Sequence, residues 1–202
     1  MGVGLGIRRG ERGLNAMDEK SRMLAGALYR ATDAVLVAER KRAKALCREY
    51  NASETLPNAA ILRALFGRPT DAYIEPPFFC DYGYNIRLGA RFYANHGLIV
   101  LDVMPVTIGD DVFVAPNVVI SAATHPADVA TRISGLELGK PVTIGSGVWI
   151  GSGVQVLPGV TIGDGSIIGA GAVVTKDIPA NCVAAGNPCR VMRVLRPGTR
   201  AR

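Results

Sequence analysis

Aromatic residues make up only 6% of this 202-residue chain, there is one Trp, and there are two histidines, His96 and His125. Two histidines are too few for a solenoid zinc site built on three. The four cysteines, Cys47, Cys80, Cys182 and Cys189, form no C-x-x-C pair, so the sequence lacks the usual zinc and redox spacings; reduced thiols of a cytoplasmic enzyme are expected. No apolar run reaches the roughly 18 residues of a membrane-spanning helix. The Gly135–Lys140 stretch lacks the spacing and the Ser/Thr of a phosphate-binding loop. The first sixteen residues carry five glycines and three arginines but no apolar core for a signal peptide, so residues 1–17 are expected to be a disordered tail. Without a secretory signal, the Asn51-Ala52-Ser53 sequon carries no meaning. The net charge of +6 has no aromatic interleaving or nucleic-acid motif behind it: eleven of the 23 Lys/Arg lie in the first fifty residues among acids, and five more are arginines from Arg190 onward. A basic edge that meets a phosphorylated small molecule accounts for the same charges, and no nucleic-acid or membrane partner is expected.

What is present is a repeat. From Val106 to Lys176 a branched aliphatic residue returns at every sixth position: Ile108, Val114, Ile120, then Ile144, Ile150, Val156, Ile162, Ile168 and Val174. Most are followed by a small residue, such as Gly109, Ala115, Gly145, Gly151, Gly163 or Gly169. A period of six is neither that of a strand nor that of an amphipathic helix. It fits short strands whose β-branched side chains point inward, with a tight corner after each. Three units close one coil of a triangular prism, and stacked coils bury an aliphatic column. The predicted fold is a mainly β, parallel β-helix; its handedness does not follow from the period.

One stretch breaks the phase. Residues 123–140 interrupt an otherwise whole number of units, and a loop thrown out of a regular solenoid is a functional candidate. Residues 18–70 are expected to be helical: apolar spacing marks helices from Asp18 to Tyr50, broken near Arg30–Asp33 with Asp33 as a cap, and from Ala59 to Phe66, ended by Gly67. Residues 71–188 form the β-helical domain, with regular coiling from about Ile86. The aromatic group Tyr73, Phe78, Phe79, Tyr82, Tyr84, Phe92 and Tyr93 either seals the first coil against the helices or offers Tyr82 or Tyr93 as a stacking platform for a sugar ring. Asp81, Asn95 and Asp102 stand beside them as hydrogen-bonding groups. Residues 189–202 form a terminal cap and tail over the open end.

His125 is the candidate catalytic group. It sits in the one loop that breaks the repeat, between Thr124 and Pro126. A neutral imidazole there can take a proton from a hydroxyl as that oxygen attacks an activated acyl group.

The hexapeptide repeat, the Ala-Thr-His-Pro loop, the Tyr-Gly-Tyr-Asn segment and the Asn-Pro-Cys-Arg near the end resemble the maltose/galactoside O-acetyltransferases, from about Asp18 to Val194. The resemblance implies a left-handed parallel β-helix and a homotrimer with active sites between subunits. It further implies acetyl-CoA as co-substrate, no metal, and a sugar acceptor such as glucose, maltose or a related glycoside. It places His125 at the base and Asn95, Asp81, Asp102 and Tyr93 around the acceptor. Ser152, Trp149, Ala170, Thr175, Lys176, Arg190 and Arg193 fall where the coenzyme binds, Ser152 contributing a backbone N–H to the thioester. Attack by the deprotonated hydroxyl in a ternary complex then needs no acetyl-enzyme, because no Cys or Ser stands in an activating pair and the leaving thiol has a pKa of about 8.5. The chain departs from the family's pattern at His96, where Phe is commoner, and at Ala31, where an acid is expected. The same fold also serves acyltransferases of serine and amino sugars, and a lipo-oligosaccharide acceptor belongs to the same set of alternatives.

Overall fold

The computed structural model describes residues 17–196; the expected tail before Met17 and the end of the 189–202 segment lie outside the described residues. The described residues open with α1 (Glu19–Leu24), whose first turn is closed by the Asp18 carboxylate accepting the Ser21 N–H. After β1 (Tyr29–Arg30), Asp33 caps α2 (Ala34–Asn51) by accepting the N–H groups of Val35 and Leu36. Asn58 caps α3 (Ala59–Phe66), and Gly67 ends it with φ near +69°, a conformation that suits the residue without a Cβ. Helix α3 buries Ile61, Leu62, Leu65 and Phe66, and Phe66 meets Phe78 edge-on at 6.1 Å between ring centroids.

The rest is a three-faced parallel β-helix. On one face β4 (Ile86–Leu88), β7 (Val106–Ile108), β12 (Val142–Ile144) and β15 (Thr161–Ile162) stack in register. On the second lie β2 (Tyr73–Ile74), β5 (Tyr93–Ala94), β8 (Phe113–Val114), β13 (Trp149–Ile150), β16 (Ile167–Ile168) and β18 (Cys182–Ala185). The third holds β3 (Phe78–Cys80), β6 (Leu98–Leu101), β9 (Val119–Ser121), β14 (Gln155–Val156) and β17 (Val173–Val174). All nine aliphatic residues of the six-residue repeat are 2% exposed or less, so the repeat is the core. Each inward side chain in a column of this kind removes about 1.5–3 kcal/mol worth of apolar surface from water.

Coiling begins earlier than the repeat suggests. Tyr73–Ile74 and Phe78–Cys80 already pair with the next coil, and their inward residues Ile74 and Cys80 stand six apart, in register with Ala94 and Val100. These early coils advance by twenty residues, as from Leu88 to Ile108, and the later ones by eighteen, as from Ile144 to Ile162. Phe78 and Phe92 are buried in these wider coils beside Ile74, Ile86 and Leu98, with Phe66 of α3 packed against them. At the far end β19 (Arg190–Val194) turns back antiparallel on β18 and covers the sheet edge. The 123–140 segment is itself structured: β10 (Ala123–Thr124), α4 (Val129–Ile133) and β11 (Leu136–Gly139). Strand β11 pairs antiparallel with both β10 and β1, forming a three-stranded patch that ties the loop to the N-terminal segment.

Candidate active site

That patch positions the first half of the site. Strand β10 delivers His125 to the wall of a cavity of about 300 Å³ that also takes in Tyr29, Arg40, Asp81, Tyr82 and Glu137. His125 is exposed, and among the described residues its ring has no hydrogen-bond partner. Across the cavity the Tyr29 hydroxyl donates to Glu137 Oε2 at 3.1 Å, and an Arg40 N–H donates to the Tyr82 hydroxyl at 2.6 Å. Arg40 also donates to the Ala31 carbonyl, which fixes its guanidinium between α2 and the β-helix. Burial pushes the Asp81 carboxyl above its ordinary value against the pull of Arg40 and Lys44. Burial likewise pushes the Tyr82 hydroxyl up to about 12, opposed by Arg40. The cavity thus holds one imidazole, two carboxyls and one cation around a space of sugar-ring size.

Asp102 does not line this cavity. It is fully buried, and its Oδ1 accepts the backbone N–H groups of Asp81 (3.1 Å) and Tyr82 (2.8 Å). Its backbone carbonyl accepts from Asn85 Nδ2 at 2.7 Å. The expectation that Asp102 contacts an acceptor is therefore corrected: it lies beneath the segment that carries Asp81, with no open surface. Tyr82 as an open stacking platform is corrected on the same ground, since only 1% of it is exposed.

The second half lies elsewhere. Tyr93, Asn95, Phe113, Ala115 and Trp149 line a shallower cavity of about 390 Å³ on the second face. Tyr93 stacks on Tyr73 at 6.0 Å and tilts against Phe113 at 6.4 Å, and Trp149 continues this column in register with half its surface exposed. The Asn95 side-chain carbonyl accepts the His96 N–H at 2.7 Å, which leaves its amide N–H groups as donors. Ser152 and Ala170 occupy the same corner two and three coils beyond Asn95, both exposed. There the N–H groups of Gly151 and Gly153 are taken by the Ile168 and Pro116 carbonyls, while among the described residues the Ser152 N–H between them has no partner. Arg190 and Arg193, both exposed, lie on β19 at the end of this face. Thr175 and Lys176 follow β17 and so fall on the other corner, the one that carries Asp81 and the His125 loop.

The expected site residues therefore divide between two corners of the prism. Tyr93, Asn95, Trp149, Ser152 and Ala170 stand where the second face turns into the third; Asp81, His125, Thr175 and Lys176 stand where the third turns into the first. One chain does not bring the two sets together. Reasoning from sequence missed Tyr29, Arg40, Glu137 and Phe113. Phe113 was legible as the outward residue of a repeat unit beside Tyr93 and Trp149. Glu137 was one of two acids in the irregular loop, whereas nothing in the helical pattern of Arg40 says which cavity it meets.

Comparison with known proteins decides the family. Residues 22–70 match the maltose acetyltransferase hexapeptide capping motif, and residues 141–176 match the six-repeat bacterial transferase hexapeptide model. A maltose O-acetyltransferase from Clostridium difficile 630 superposes with a TM-score of 0.86 at 51% identity, covering 90% of this chain and all of that one. The chain belongs to the maltose/galactoside O-acetyltransferase family. The galactoside O-acetyltransferase of Escherichia coli is 46% identical over 89% of this chain and 90% of its own length. A galactoside acetyltransferase solved in complex with coenzyme A aligns at a TM-score of 0.84 and 44% identity, over 89% of this chain and 92% of that one. The family's hexapeptide acetyltransferase fold thus reaches from the capping helices to the terminal strand.

Proposed function

We propose that this enzyme moves the acetyl group of acetyl-CoA to a hydroxyl of a sugar such as glucose, maltose or a related glycoside, at a site shared between two copies of the chain in a homotrimer. The observation that carries this reading is the division of the site. His125 and Asp81 occupy one corner, Asn95 and Ser152 another, and a heterologous ring brings unlike corners of neighbouring copies together. The coenzyme-bound galactoside acetyltransferase, with its likeness over most of this chain, supports acetyl-CoA as donor.

In this reading the acceptor lies in the His125 cavity, where Asp81 and Glu137 accept hydrogen bonds from its hydroxyls. Asn95 of the adjoining copy donates its free amide N–H to the same ring. His125, its imidazole otherwise unengaged, takes the proton of the reacting hydroxyl as that oxygen attacks the thioester carbonyl. The Ser152 N–H is a donor for the oxyanion, a role for which preorganised donors contribute about 3–4 kcal/mol. Collapse of the tetrahedral state expels the thiol, which leaves with the proton held by the imidazolium. Trp149 flanks the pantetheine, and Lys176, Arg190 and Arg193 offer cations to the phosphates.

The test is thiol release from acetyl-CoA with glucose, maltose, a galactoside, serine and glucosamine as acceptors. Sugar-dependent release that falls by about 10²–10⁴-fold in His125→Ala matches loss of a general base. Release that does not depend on sugar, or that survives the substitution, counts against the reading.

A further inference from the structure

A third cavity, of about 340 Å³, opens between α2 and the third face of the β-helix, beside the His125 cavity. Its walls are Phe79, Ile99 and Leu101, with Lys44 and Arg48 at the helix side and both Cys47 and Cys80 facing in. The two sulfurs are 3.7 Å apart, within reach of an S–H···S hydrogen bond, and one thiol comes from a helix while the other comes from the first coil. Asp81 and Leu101 line this cavity and the His125 cavity alike. We propose that Cys47 and Cys80 form an oxidisable dithiol site whose ligand is a small hydroperoxide, and whose product is a disulfide that pins α2 to the first coil next to Asp81.

The geometry joins the two thiols in one contact, and the charges beside them differ: Arg48 acts on Cys47, and Asp81 acts on Cys80. The hydrogen bond between the thiols, with the Arg48 cation helping, holds Cys47 below its ordinary value; the same hydrogen bond and then burial hold Cys80 well above it, and Asp102 and Asp81 add to that. Cys47, with a cation beside it, is the member of the pair that loses its proton more readily, and thiolates are the nucleophiles of sulfur chemistry. Its sulfur attacks one peroxide oxygen, the O–O bond breaks, an S–O bond forms, and the other oxygen leaves as water or an alcohol after taking a proton. Cys80 sulfur next attacks Cys47 sulfur: the S–S bond forms, the S–O bond breaks, and the oxygen leaves as water with the Cys80 proton. The peroxide receives two electrons and the sulfur pair loses two. The sulfurs have to close from 3.7 Å to about 2.05 Å, a shift taken up between α2 and β3. Cys182 has no such neighbour: its thiol meets the Pro179 carbonyl and Ser166 Oγ.

The experiment uses the full chain, reduced and then exposed to hydrogen peroxide. The expected result is a fall from four to two titratable thiols after denaturation, with one cross-linked peptide joining Cys47 to Cys80. Cys80→Ser should stop at a sulfenic acid on Cys47, trapped by a 1,3-dione probe, while Cys47→Ser leaves Cys80 unmodified. The Cys182→Ser/Cys189→Ser double variant keeps the bridge. A bridge that uses Cys182 or Cys189, or oxidation of Cys47 beyond sulfenic acid with no bridge, overturns the proposal. The effect on the neighbouring cavity rests on the acceptor reading given above. There the bridged form should show a several-fold rise in acceptor KM, reversed by a dithiol, with little change in acetyl-CoA KM. An unchanged acceptor KM in the bridged form overturns the link to the acceptor cavity. Absence of sugar-dependent transfer before any oxidation counts instead against the acceptor reading, because the bridge is read by mass alone.

Discussion

At the scale of single residues, Asp102 has the least ordinary surroundings. One carboxylate oxygen holds two consecutive backbone N–H groups, and the other, Oδ2, is buried with no hydrogen-bond partner among the described residues. Burial pushes this carboxyl up to about 7, with Asp81 reinforcing and the Tyr82 N–H opposing the shift. A carboxyl whose folded pKa is raised binds more protons folded than unfolded between its two pKa values. Stability is then full below the unfolded value near 3.8 and falls as pH rises through about 7. Between pH 5 and pH 8 the wild type should lose on the order of 2 kcal/mol from this group. Asp102→Asn keeps an oxygen for the two N–H groups but does not titrate, so its urea midpoint should fall less over the same interval. Parallel midpoint curves for the two proteins would refute the assignment. The sequence showed an acid beside Asp81 and Asn95 in the first coils, and chemistry suggested a role at the acceptor. Which face an acid takes in coils of twenty residues depends on the two extra residues, and the six-residue period does not report them.

At the scale of elements, the loop that breaks the repeat is the part whose form was least legible. The absence of periodicity located its borders at 123–140, but the pairing of β11 with both β10 and β1 depends on a strand more than a hundred residues away. The repeat itself was legible because every sixth side chain must enter one narrow column, and sequence records that directly. The loop leans on Gly139: a Cβ there would come within 2.6–2.7 Å of the Met104 and Val103 side chains and 3.0 Å of the Ala122 carbonyl. Gly139→Ala should therefore push β11 off the β-helix at a cost of about 1–3 kcal/mol, typical of overpacking. Because β10 and β11 carry the wall that holds His125, kcat should fall more than the KM for acetyl-CoA rises. A variant with wild-type kcat and wild-type melting temperature would show that the loop's seat is softer than the contacts indicate. Tyr29→Phe offers a milder probe of the same patch, removing one hydrogen bond to Glu137 worth about 1 kcal/mol.

At the scale of the whole molecule, the separation of the two corners makes a demand that single-chain chemistry cannot meet. If His125 is the base and the Asn95 amide serves the same site, one of them has to come from a neighbouring copy; otherwise one of them takes no part. Mixed oligomers distinguish these cases. His125→Ala and Asn95→Ala proteins, each impaired alone, are to be co-expressed or unfolded and refolded together. If a site takes His125 from one copy and Asn95 from the next, random mixing in a heterologous ring makes about a quarter of the sites wild type in both. Activity should then rise to about that fraction of the wild-type level, with wild-type KM for the acceptor, since each restored site is complete. If both residues served a site within one chain, every chain would lack one of them whatever its neighbours, and mixing would recover nothing. Activity at the mean of the two single variants would mean that the two residues do not share a site across copies, and the shared-site reading would fall while the role of His125 stood.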